Sequence, residues 1–379
     1  MKEKELLDII KNFDVRGDIK ELNPINNGII NTTYVVKTDD KGNINKYLLQ
    51  KINTSIFTEP FKLMKNIENV TKYISLNDSE SKDTINVIKA KNDLPLYVTS
   101  DPFSHKEYYR VYNYIDNTIS YNKSEKTEIV YNTGKAFGHF CKVLRDYPIN
   151  DLEEIIKDFH NTKKRYDKLI ETYKLNPVNR NNRAFKQISE IISREEECSV
   201  LVNLLEDNKI PYRVTHNDTK VNNVLMDSVT KEPVAVIDLD TVMKGSGLYD
   251  YGDGVRSAAS NALEDETNLD NVYINMDMFK AYTDGYLSEM SESLTYEELS
   301  LMAEGVRIIT LELAIRFLND YINGDTYFKT DYDKQNLYRA RAQIALVKDI
   351  ESKLDLMDNY IKESYGKKYN GRYARVLTR

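Results

Sequence analysis

The sequence predicts an α+β fold of two lobes, in which a small antiparallel β-sheet precedes a larger helical region. Segments rich in β-branched residues and turns fill the chain up to about residue 115, and from about residue 125 apolar residues recur at helical spacing. Two polar motifs, near residues 216 and 238, interrupt the helical region. Because no repeat or Ser/Gly-rich linker separates autonomous domains, we expect an N-lobe of residues 1–112 and a C-lobe of residues 113–379.

The predicted N-lobe begins with a short helix over residues 1–20, where apolar side chains recur on one face. Residues 29–37 and 46–52 are predicted to form two strands of a hairpin, because a polar turn joins them. A proline then opens a helix over residues 61–74. Residues 108–115 form a strand that runs into a polar turn, which ends the lobe.

The C-lobe is predicted from segments whose apolar residues repeat at helical spacing: residues 130–144, 152–169, 185–205, 276–290, 296–323 and 332–361. The sequence Gly245-Ser246-Gly247 is interpreted as a turn, since we see no helix start after it. The two polar motifs lie between the third and fourth of these helical segments.

Composition excludes several classes of protein. The 379 residues are 41% hydrophobic and 30% charged, as in ordinary globular proteins, and the net charge of −7 argues against a nucleic-acid partner. The two cysteines, Cys141 and Cys198, follow no metal-ligand or disulfide pattern. We see no apolar signal region and no run of about 20 apolar residues, so we expect a cytoplasmic protein without a membrane partner.

Residues 216–223 fit the pattern H-x-D-x-x-x-x-N. Phosphoryl transfer needs a carboxylate to orient the attacking hydroxyl and take its proton, and Asp218 would supply it. An amide oxygen is a suitable ligand for Mg²⁺, and Asn223 would supply that. The pattern is short, however, and the alternative is a purely structural role as a helix cap followed by a turn.

The second motif weakens that alternative. A β-branched run over residues 234–237 ends at Asp238, and Asp240 follows two residues later. Two acids at the end of a short strand suit a magnesium site, and their order after residues 216–223 matches a kinase-like phosphotransferase. His216 is interpreted as a structural brace of the loop, with a general-base histidine as the alternative.

A kinase-like interpretation gives roles to the N-lobe elements. The hairpin loop, whose one glycine is Gly28, would cover the phosphates of ATP. The strand over residues 108–115 would be the hinge between lobes, where Asn113, Tyr114 and Ile115 could bind adenine through their backbone groups. The alternative is a plain sheet strand with exposed tyrosines. No Walker A sequence is present.

The chain resembles the aminoglycoside phosphotransferase/choline kinase superfamily and, within it, the bacterial N-acetylhexosamine 1-kinases. The resemblance covers most of the chain and is carried by several separate segments. These are THNDTKVNNV at residues 215–224, IDLDTVM at 237–243, YDYGD at 249–253 with Arg256, NGIINTTY at 27–34, LQKIN at 49–53, RFLNDY at 316–321, GDTYF at 324–328, and Asn336, Leu337 and Arg339.

The resemblance implies ATP- and Mg²⁺-dependent phosphorylation of the anomeric hydroxyl of GlcNAc or GalNAc. It makes Asp218 the catalytic base, and Asn223 and Asp238 the magnesium ligands, with Asp240 a weaker candidate. Within the same resemblance, Asp218 also contacts the sugar. Arg316 and Tyr327 match positions that line the sugar pocket of those enzymes; considered alone, they would be helix surface and loop packing.

Two departures from the family pattern concern the acceptor. The family often has histidine where this chain has Ile29, and an aromatic residue where it has Ser257. Both positions are expected near the sugar, and polar contacts discriminate between substrates more sharply than apolar fit. It is also open whether Gln50 or Lys51 faces the phosphates, since alternation along a strand sends only one toward the cleft.

Two other functions compete with the sugar kinase. The first is a sister enzyme that phosphorylates choline, ethanolamine, homoserine or an aminoglycoside. The second is a pseudokinase that binds nucleotide without turnover. The presence of all three chemical positions, Asp218, Asn223 and Asp238, argues against the pseudokinase.

Overall fold

The computed structural model of the protein describes residues 3–25, 31–78, 83–100, 103 and 105–368. It confirms the predicted α+β class, with an antiparallel sheet in the first part of the chain and helices in the second. The N-terminal elements are α1 (Glu3–Ile10), β1 (Asp18–Ile25), β2 (Thr32–Asp40), β3 (Asn43–Lys51), α2 (Pro60–Asn77), β4 (Val87–Ile88), β5 (Tyr97–Ser100) and β6 (Lys106–Asn113).

The N-lobe sheet has two covered faces. Its strands follow the order β1-β2-β3-β6-β4, every pair is antiparallel, and β5 pairs with β6. One face packs against α1, where Leu49 and Val111 join Ile10 and Phe13 in a buried cluster. The other face turns toward α2 and the C-lobe. Because side chains alternate along a strand, neighbouring residues of β3 and β6 point to opposite faces.

The start of the chain differs from its prediction. The helix ends at residue 10, and β1 occupies residues 18–25. The prediction of a helix that reaches residue 20 is therefore wrong. The chain turns at Gly17, whose φ is 85° and where an added Cβ would lie 2.5 Å from the backbone of Asp39. β1 escaped detection because it has no buried residue and therefore shows no alternating apolar pattern. Gly28 and Ile29 lie outside the described residues.

The remaining elements belong to the C-lobe. They are β7 (Thr118–Ile119), α3 (Thr127–Val143), α4 (Thr162–Leu175), α5 (Asn181–Ile192), α6 (Val200–Glu206), β8 (Arg213–Thr215), β9 (Val224–Asp227), β10 (Pro233–Val236), β11 (Met243–Gly245), α7 (Gly247–Ala259), α8 (Met276–Met290), α9 (Tyr296–Ser300), α10 (Met302–Ile322) and α11 (Gln335–Lys368). Over the described ranges, no helix is both long and apolar enough to cross a membrane.

Three helix predictions need correction. Residues 152–161 are not helical, and α4 begins only after Asn161, whose side chain caps it. The helix predicted over residues 185–205 is two helices, α5 and α6, separated by a short turn. A helix does start directly after Gly245, because the Ser246 hydroxyl accepts a hydrogen bond of 3.2 Å from the backbone N–H of Leu248 and so caps α7.

Helix α7 is fixed firmly against α10. A Cβ on Gly252 would lie 2.5 Å from the carbonyl oxygen of Gly305, so the two helices approach at their backbones. The residues of α7 are almost all buried. This helix carries Asp250 and Asp253, and its tight packing means that their carboxylates have little freedom to move.

Candidate active site

The two sequence motifs meet at one place in the fold. We call residues 216–223 the catalytic loop and residues 238–241 the metal turn. The loop connects β8 to β9 and the turn lies between β10 and β11. Because β8 pairs with β11 and β9 pairs with β10, the strand ends that carry the loop and the turn are held side by side.

Asp218 has two partners from its own loop. The side-chain amide nitrogen of Asn223 donates to its carboxylate at 3.0 Å and to its carbonyl oxygen at 2.8 Å. The Lys220 ammonium lies 3.0 Å from the other carboxylate oxygen. Since the nitrogen of Asn223 is used in this way, its side-chain oxygen is left for another ligand. The Asp218 side chain keeps 29% of its surface exposed, so an acceptor can reach it.

The backbone of the loop is held by two buried carboxylates of α7. Asp250 accepts hydrogen bonds from the N–H groups of His216 at 2.7 Å and Asn217 at 2.8 Å. Asp253 accepts from the N–H of Thr219 at 3.1 Å. Asn217 needs this support because its φ of 63° is left-handed, a conformation that most residues avoid. The loop geometry is therefore fixed independently of any ligand.

These two carboxylates differ in charge preference. Burial raises the pKa of Asp250 to about 7, although the two backbone hydrogen bonds work in the opposite direction. Burial also disfavours ionisation of Asp253, but the adjacent Arg256 guanidinium outweighs it, so the pKa of Asp253 is lowered. Arg256 donates to Asp253 at 2.8 and 3.0 Å. Asp253 is thus the fixed negative charge beneath the loop.

His216 connects the catalytic loop to the strand before the metal turn. One ring nitrogen lies 2.9 Å from the carbonyl oxygen of Ile237, and the other accepts from the N–H of Asp218 at 3.2 Å. This pairing requires a neutral ring with its proton on Nε2, and burial lowers the pKa of His216 in agreement. The ring also packs edge-on against Phe137 and Phe140. The contacts support a bracing role.

Asp238 suits a cation ligand. Its φ of 61° is left-handed, and its side chain is exposed to the cleft. Surrounding protein limits its hydration and, together with the charges of Asp240 and Asp218, raises the pKa of Asp238 to about 7. A divalent cation would relieve this repulsion, because it favours the ionised carboxylate. The donor chemistry therefore fits magnesium, with the side-chain oxygens of Asn223 and Asp238 as protein ligands.

A site of only two protein ligands is normal for this ion. Mg²⁺ is usually held by one or two protein oxygens, and water and substrate phosphates complete its shell. The described part of the chain holds no group of three His, Cys, Asp or Glu side chains that could bind a metal on its own.

Asp240 has a different environment from Asp238. It is 4% exposed, and both its oxygens accept from the guanidinium of Arg110 on β6, at 2.5 and 2.9 Å. The side-chain amide of Asn31 donates to it at 2.7 Å. The Asp240 carboxylate therefore already accepts three hydrogen bonds from protein donors. Its assignment as a magnesium ligand stays a prediction.

The orientation of the strand residues Gln50 and Lys51 is now clear. Gln50 accepts a hydrogen bond from the Arg110 Nε at 2.9 Å and donates to Thr33 at 3.0 Å. Lys51 forms an ion pair with Glu107 on the opposite face of the sheet. Of the two residues, Gln50 is therefore the one that faces the cleft, and Lys51 lies on the other face.

The predicted hinge lies where β6 ends. The backbone N–H of Tyr114 donates to the carbonyl of Lys46 at 3.2 Å, and that of Asn113 to the carbonyl of Asn86 at 3.2 Å. Ile115 is 7% exposed, and its carbonyl accepts from the Thr118 hydroxyl at 2.8 Å. These three backbone groups thus already have partners within the protein, and adenine binding by this segment stays a prediction.

The two distal segments of the sequence come together around Arg316. The guanidinium lies 5.0 Å from the ring centre of Phe159, 5.9 Å from that of Tyr327 and 5.5 Å from that of Phe328. The loop of Tyr327 is held by the buried carboxylate of Asp320, which accepts from the backbone N–H groups of residues 326–328. Arg316 and Tyr327 are therefore neighbours, half-buried and 51% exposed respectively.

His160 links this aromatic cluster to the catalytic loop. Its Nε2 lies 3.2 Å from the carbonyl oxygen of Asn217, and its Nδ1 lies 2.7 Å from the Glu312 carboxylate. Phe159, the preceding residue, packs on Arg316. Ser257 is half-buried on α7, directly after the arginine that pairs with Asp253. Arg316 is thus connected to the catalytic loop through Phe159 and its neighbour His160.

A cavity of about 380 Å³ borders the loop at Asn217, His160 and Tyr249. Its lining includes neither Asp218 nor Arg316. The acceptor site predicted for those two residues is therefore outside this cavity.

Several residues with evident roles had escaped sequence reasoning. Lys220 follows Asp218 by two positions, and that spacing could have indicated a cation beside the base. Asp250 and Asp253 stand out in the sequence only as part of a family pattern, which assigns them no role. Arg110 and His160 gave no local signal, because each acts on a segment far along the chain.

Comparison with known proteins places the site in context. A family model described as "Phosphotransferase enzyme family" matches residues 21–272, which include most of the N-lobe sheet, the catalytic loop, the metal turn and α7. The match therefore covers Asp218, Asn223 and Asp238 together with the loop and the turn that carry them.

Solved structures with the same fold extend over nearly the whole chain. A microcompartment-associated aminopropanol kinase has a TM-score of 0.63 and 15% identity, with 94% of this chain and 99% of that chain covered. Choline kinase from Cryptosporidium parvum Iowa II has a TM-score of 0.58 and 14% identity, with 96% and 99% covered. Amicoumacin kinase hAmiN, solved with AMP-PNP and Ca²⁺, has a TM-score of 0.61 and 13% identity, with 93% and 94% covered.

Proposed function

The chain belongs to the phosphotransferase enzyme family, and from this premise we propose that it is a kinase that transfers the terminal phosphoryl group of ATP to the anomeric hydroxyl of an N-acetylhexosamine. The observation that carries the proposal is the pairing of Asp218 with Asn223 beside the exposed carboxylate of Asp238. A base for an alcohol and two oxygen ligands for a cation lie together, as phosphoryl transfer requires.

The residues of the catalytic loop divide the chemistry. Asp218 accepts a hydrogen bond from the acceptor hydroxyl and removes its proton as the new bond to phosphorus forms. Asn223 and Asp238 would hold Mg²⁺, which supplies charge neutralisation on the phosphates. Lys220 keeps the Asp218 carboxylate oriented and adds a positive charge where the phosphoryl group passes. Positioning and electrostatic stabilisation account for most of the rate in such sites.

The nucleotide end of the proposal rests on the hinge. Asn113, Tyr114 and Ile115 would contact adenine through their backbone groups, and the loop that contains Gly28 would cover the phosphates. In this arrangement the terminal phosphate would point toward Asp238 and Asp218, which lie on the C-lobe side of the cleft.

The acceptor assignment rests on the resemblance of the sequence and on Arg316. The aromatic rings around its guanidinium, including Tyr327, make an apolar surface with the guanidinium and the Tyr327 hydroxyl as donor groups, which suits a hydroxylated ring. Ser257 and Ile29 would lie near the same sugar and would determine which of its substituents are accepted.

A sister enzyme is the second candidate. The same-fold structures include an aminopropanol kinase and a choline kinase, whose acceptors are amino alcohols by name. Ile29 and Ser257 depart from the sugar-kinase pattern, which favours this alternative. The chemistry assigned to Asp218, Asn223 and Asp238 would be unchanged, and only the acceptor would differ.

The test is release of ADP from Mg-ATP with a panel of acceptors: GlcNAc, GalNAc, glucose, galactose, choline, ethanolamine, homoserine and kanamycin. Asp218→Asn is the catalytic variant, because it keeps the size of the side chain and removes the base. Asp207→Asn, an exposed substitution after α6, is the matched control. We expect turnover with the N-acetylhexosamines, a loss of about 10²–10⁴ in kcat for Asp218→Asn, and an unchanged control.

Each outcome has a distinct meaning. Turnover only with an amino alcohol would move the acceptor to the sister class while keeping the mechanism. Equal turnover by Asp218→Asn and the natural protein would refute Asp218 as the base. If Mg-ATP binds but no acceptor reacts, the pseudokinase becomes the better description.

A further inference from the structure

Arg110 is the largest fully buried side chain with a permanent charge among the described residues. It lies on β6 of the N-lobe and is 1% exposed. A buried guanidinium is costly unless it is paired and hydrogen-bonded. Its main partner is Asp240 in the metal turn, 130 residues along the chain, so the ion pair joins the two lobes.

All three nitrogens of Arg110 are engaged. Nη1 and Nη2 donate to the two oxygens of Asp240, and Nε donates to Gln50. The charge of Asp240 raises the pKa of Arg110 against the effect of burial. A planar, two-point contact of this kind fixes orientation as well as distance.

Asp240 also receives a third donor, the side-chain amide of Asn31. The oxygen of that same amide accepts from the backbone N–H of Asn53 at 2.9 Å. Asn31 directly precedes β2, at the end of the hairpin segment assigned to the phosphates. One carboxylate therefore organises the inner face of the sheet and the approach to that segment.

Protein kinases have a different charged pair at the corresponding place in the N-lobe. They place a lysine on the third strand and pair it with a glutamate of the following helix. Here the strand residue is Gln50, and the helix presents Met64, whose sulfur lies 3.9 Å from Arg110. The positive charge thus comes from β6, and its acidic partner comes from the metal turn.

We propose that Arg110 and Asp240 form a cross-lobe anchor that positions the metal ligand Asp238, and that Asp240 serves this anchor and does not coordinate magnesium. The inference rests on the proposed function for the role of Asp238. Asp240 belongs to the single helical turn Leu239–Thr241 that follows Asp238. Holding Asp240 from the N-lobe therefore fixes the left-handed backbone of Asp238 and aims its carboxylate into the cleft.

The two possible roles of Asp240 predict opposite effects at Arg110. If Asp240 were a ligand, weakening its contact with Arg110 would free a carboxylate and remove competition, so metal binding would stay the same or become tighter. If it is an anchor, Arg110→Lys disturbs the turn although the charge is kept, and metal binding weakens. Losing a partner that orients a metal ligand typically costs about 10- to 100-fold in affinity.

The experiment measures the Mg²⁺ dependence of ADP binding by calorimetry for Arg110→Lys, Asp240→Asn and the double variant. Arg194→Lys is the matched control, because Arg194 makes a similar two-point contact with Glu351. We expect each single variant to need at least about tenfold more Mg²⁺, the double variant to add little, and the control to be unchanged. Unchanged or tighter Mg²⁺ binding by Arg110→Lys, with loss in Asp240→Asn, would overturn the proposal.

A second measurement separates this proposal from the proposed function. The same variants define a double-mutant cycle in the free energy of unfolding, which requires no ligand. Strong coupling between positions 110 and 240 supports the anchor, and additive effects refute it. If the natural protein does not bind Mg²⁺-ADP, it is the proposed function that fails, and the positioning of a metal ligand fails with it; the unfolding cycle then decides only whether Arg110 and Asp240 join the two lobes.

Discussion

The catalytic loop and the metal turn lie side by side but are held from different directions. The loop is fixed by Asp250 and Asp253, which belong to α7 of the same lobe. The turn is bound through Asp240 to Arg110 of the other lobe. One half of the site is therefore complete within the C-lobe, and the other half depends on how the lobes meet.

This difference has a consequence for function. The base and its loop remain formed whatever the position of the N-lobe, because their support is buried and close-packed. The metal turn is tied to the loop through Thr241, but its Asp240 carboxylate is held by the sheet of the other lobe. Changes on α7 should therefore disturb proton transfer and C-lobe stability, whereas changes on β6 should disturb metal and nucleotide binding.

The largest effect is expected for Asp250→Ala. The N–H groups of His216 and Asn217 would lose their acceptor in a buried place, at about 1–3 kcal/mol each in the free energy of unfolding. Misplacement of Asp218 by about 1 Å would lower kcat about 10²-fold. Chemical denaturation and ADP release measure the two effects. Asp250→Asn keeps one acceptor oxygen and should lose less stability and less kcat than Asp250→Ala.

A milder effect of Asp250→Ala would contradict the contrast between a loop held by α7 and a turn held by the N-lobe. If Asp250→Ala kept its kcat while losing stability, the loop would not depend on α7 for its catalytic geometry. Support from the metal turn through His216 would then be the stronger constraint.

Lys220→Met is expected to act on kcat alone. The ammonium lies 3.0 Å from the base, and removal of a positive charge beside the transferred group typically costs about 10²–10³ in kcat. Both side chains of the pair are partly exposed, so the free energy of unfolding should change by less than about 1 kcal/mol. Lys220→Arg keeps the charge and should recover part of the rate. A variant with normal kcat would limit Lys220 to a surface role.

The metal turn, in contrast to the loop, should respond to pH. The pKa of Asp238 is about 7 in the protein without metal, and a bound cation requires the ionised form. The concentration of Mg²⁺ needed for ADP binding should therefore rise about tenfold per pH unit below about pH 7 and become constant above it. Calorimetry from about pH 5.5 to about pH 8.5 follows this change. Asp238→Asn is the control and should show weak binding without that slope.

The same shift has a defined sign for stability. The folded-state pKa of Asp238 exceeds its ordinary value of 3.8, so the folded protein binds more protons between about pH 4 and pH 7. Without metal, the contribution of the Asp238 carboxyl to the free energy of unfolding is fully present below about pH 4. It is lost as the pH rises through about 7. Mg²⁺-ADP should oppose that loss at high pH.

Sequence reasoning succeeded where the signal was local. Helix α8 matches its prediction at both ends, because its apolar spacing is unbroken and Asn275 caps it. Asp218, Asn223 and Asp238 can be selected from the sequence, because the spacing of the first two and the strand before the third are visible within short segments, and their roles stay a prediction. The lobes themselves followed from the change of periodicity.

Sequence reasoning failed where the structure depends on partners far along the chain. β1 is exposed along its length and takes its form from pairing with β2, so its own pattern was uninformative. Arg110 looks like any residue of a strand, and only the fold shows that it reaches Asp240. The same is true of Asp250, whose function requires α7 to pack beneath the loop.

The smallest effect is expected at the contact that joins the two regions. The Thr241 hydroxyl in the metal turn donates to the carbonyl of His216 in the catalytic loop at 2.7 Å. Thr241→Val keeps the shape and removes this bond, which should cost about 0.5–1.5 kcal/mol in the free energy of unfolding. Thr310→Val is matched, since its hydroxyl donates to the carbonyl of Val306 at 2.6 Å within α10. Similar losses of stability, with kcat/KM lowered only in Thr241→Val, would indicate that the loop and the turn are coupled through this bond. Equal kcat/KM in both variants would mean that the C-lobe and the cross-lobe anchor set the two halves of the site separately.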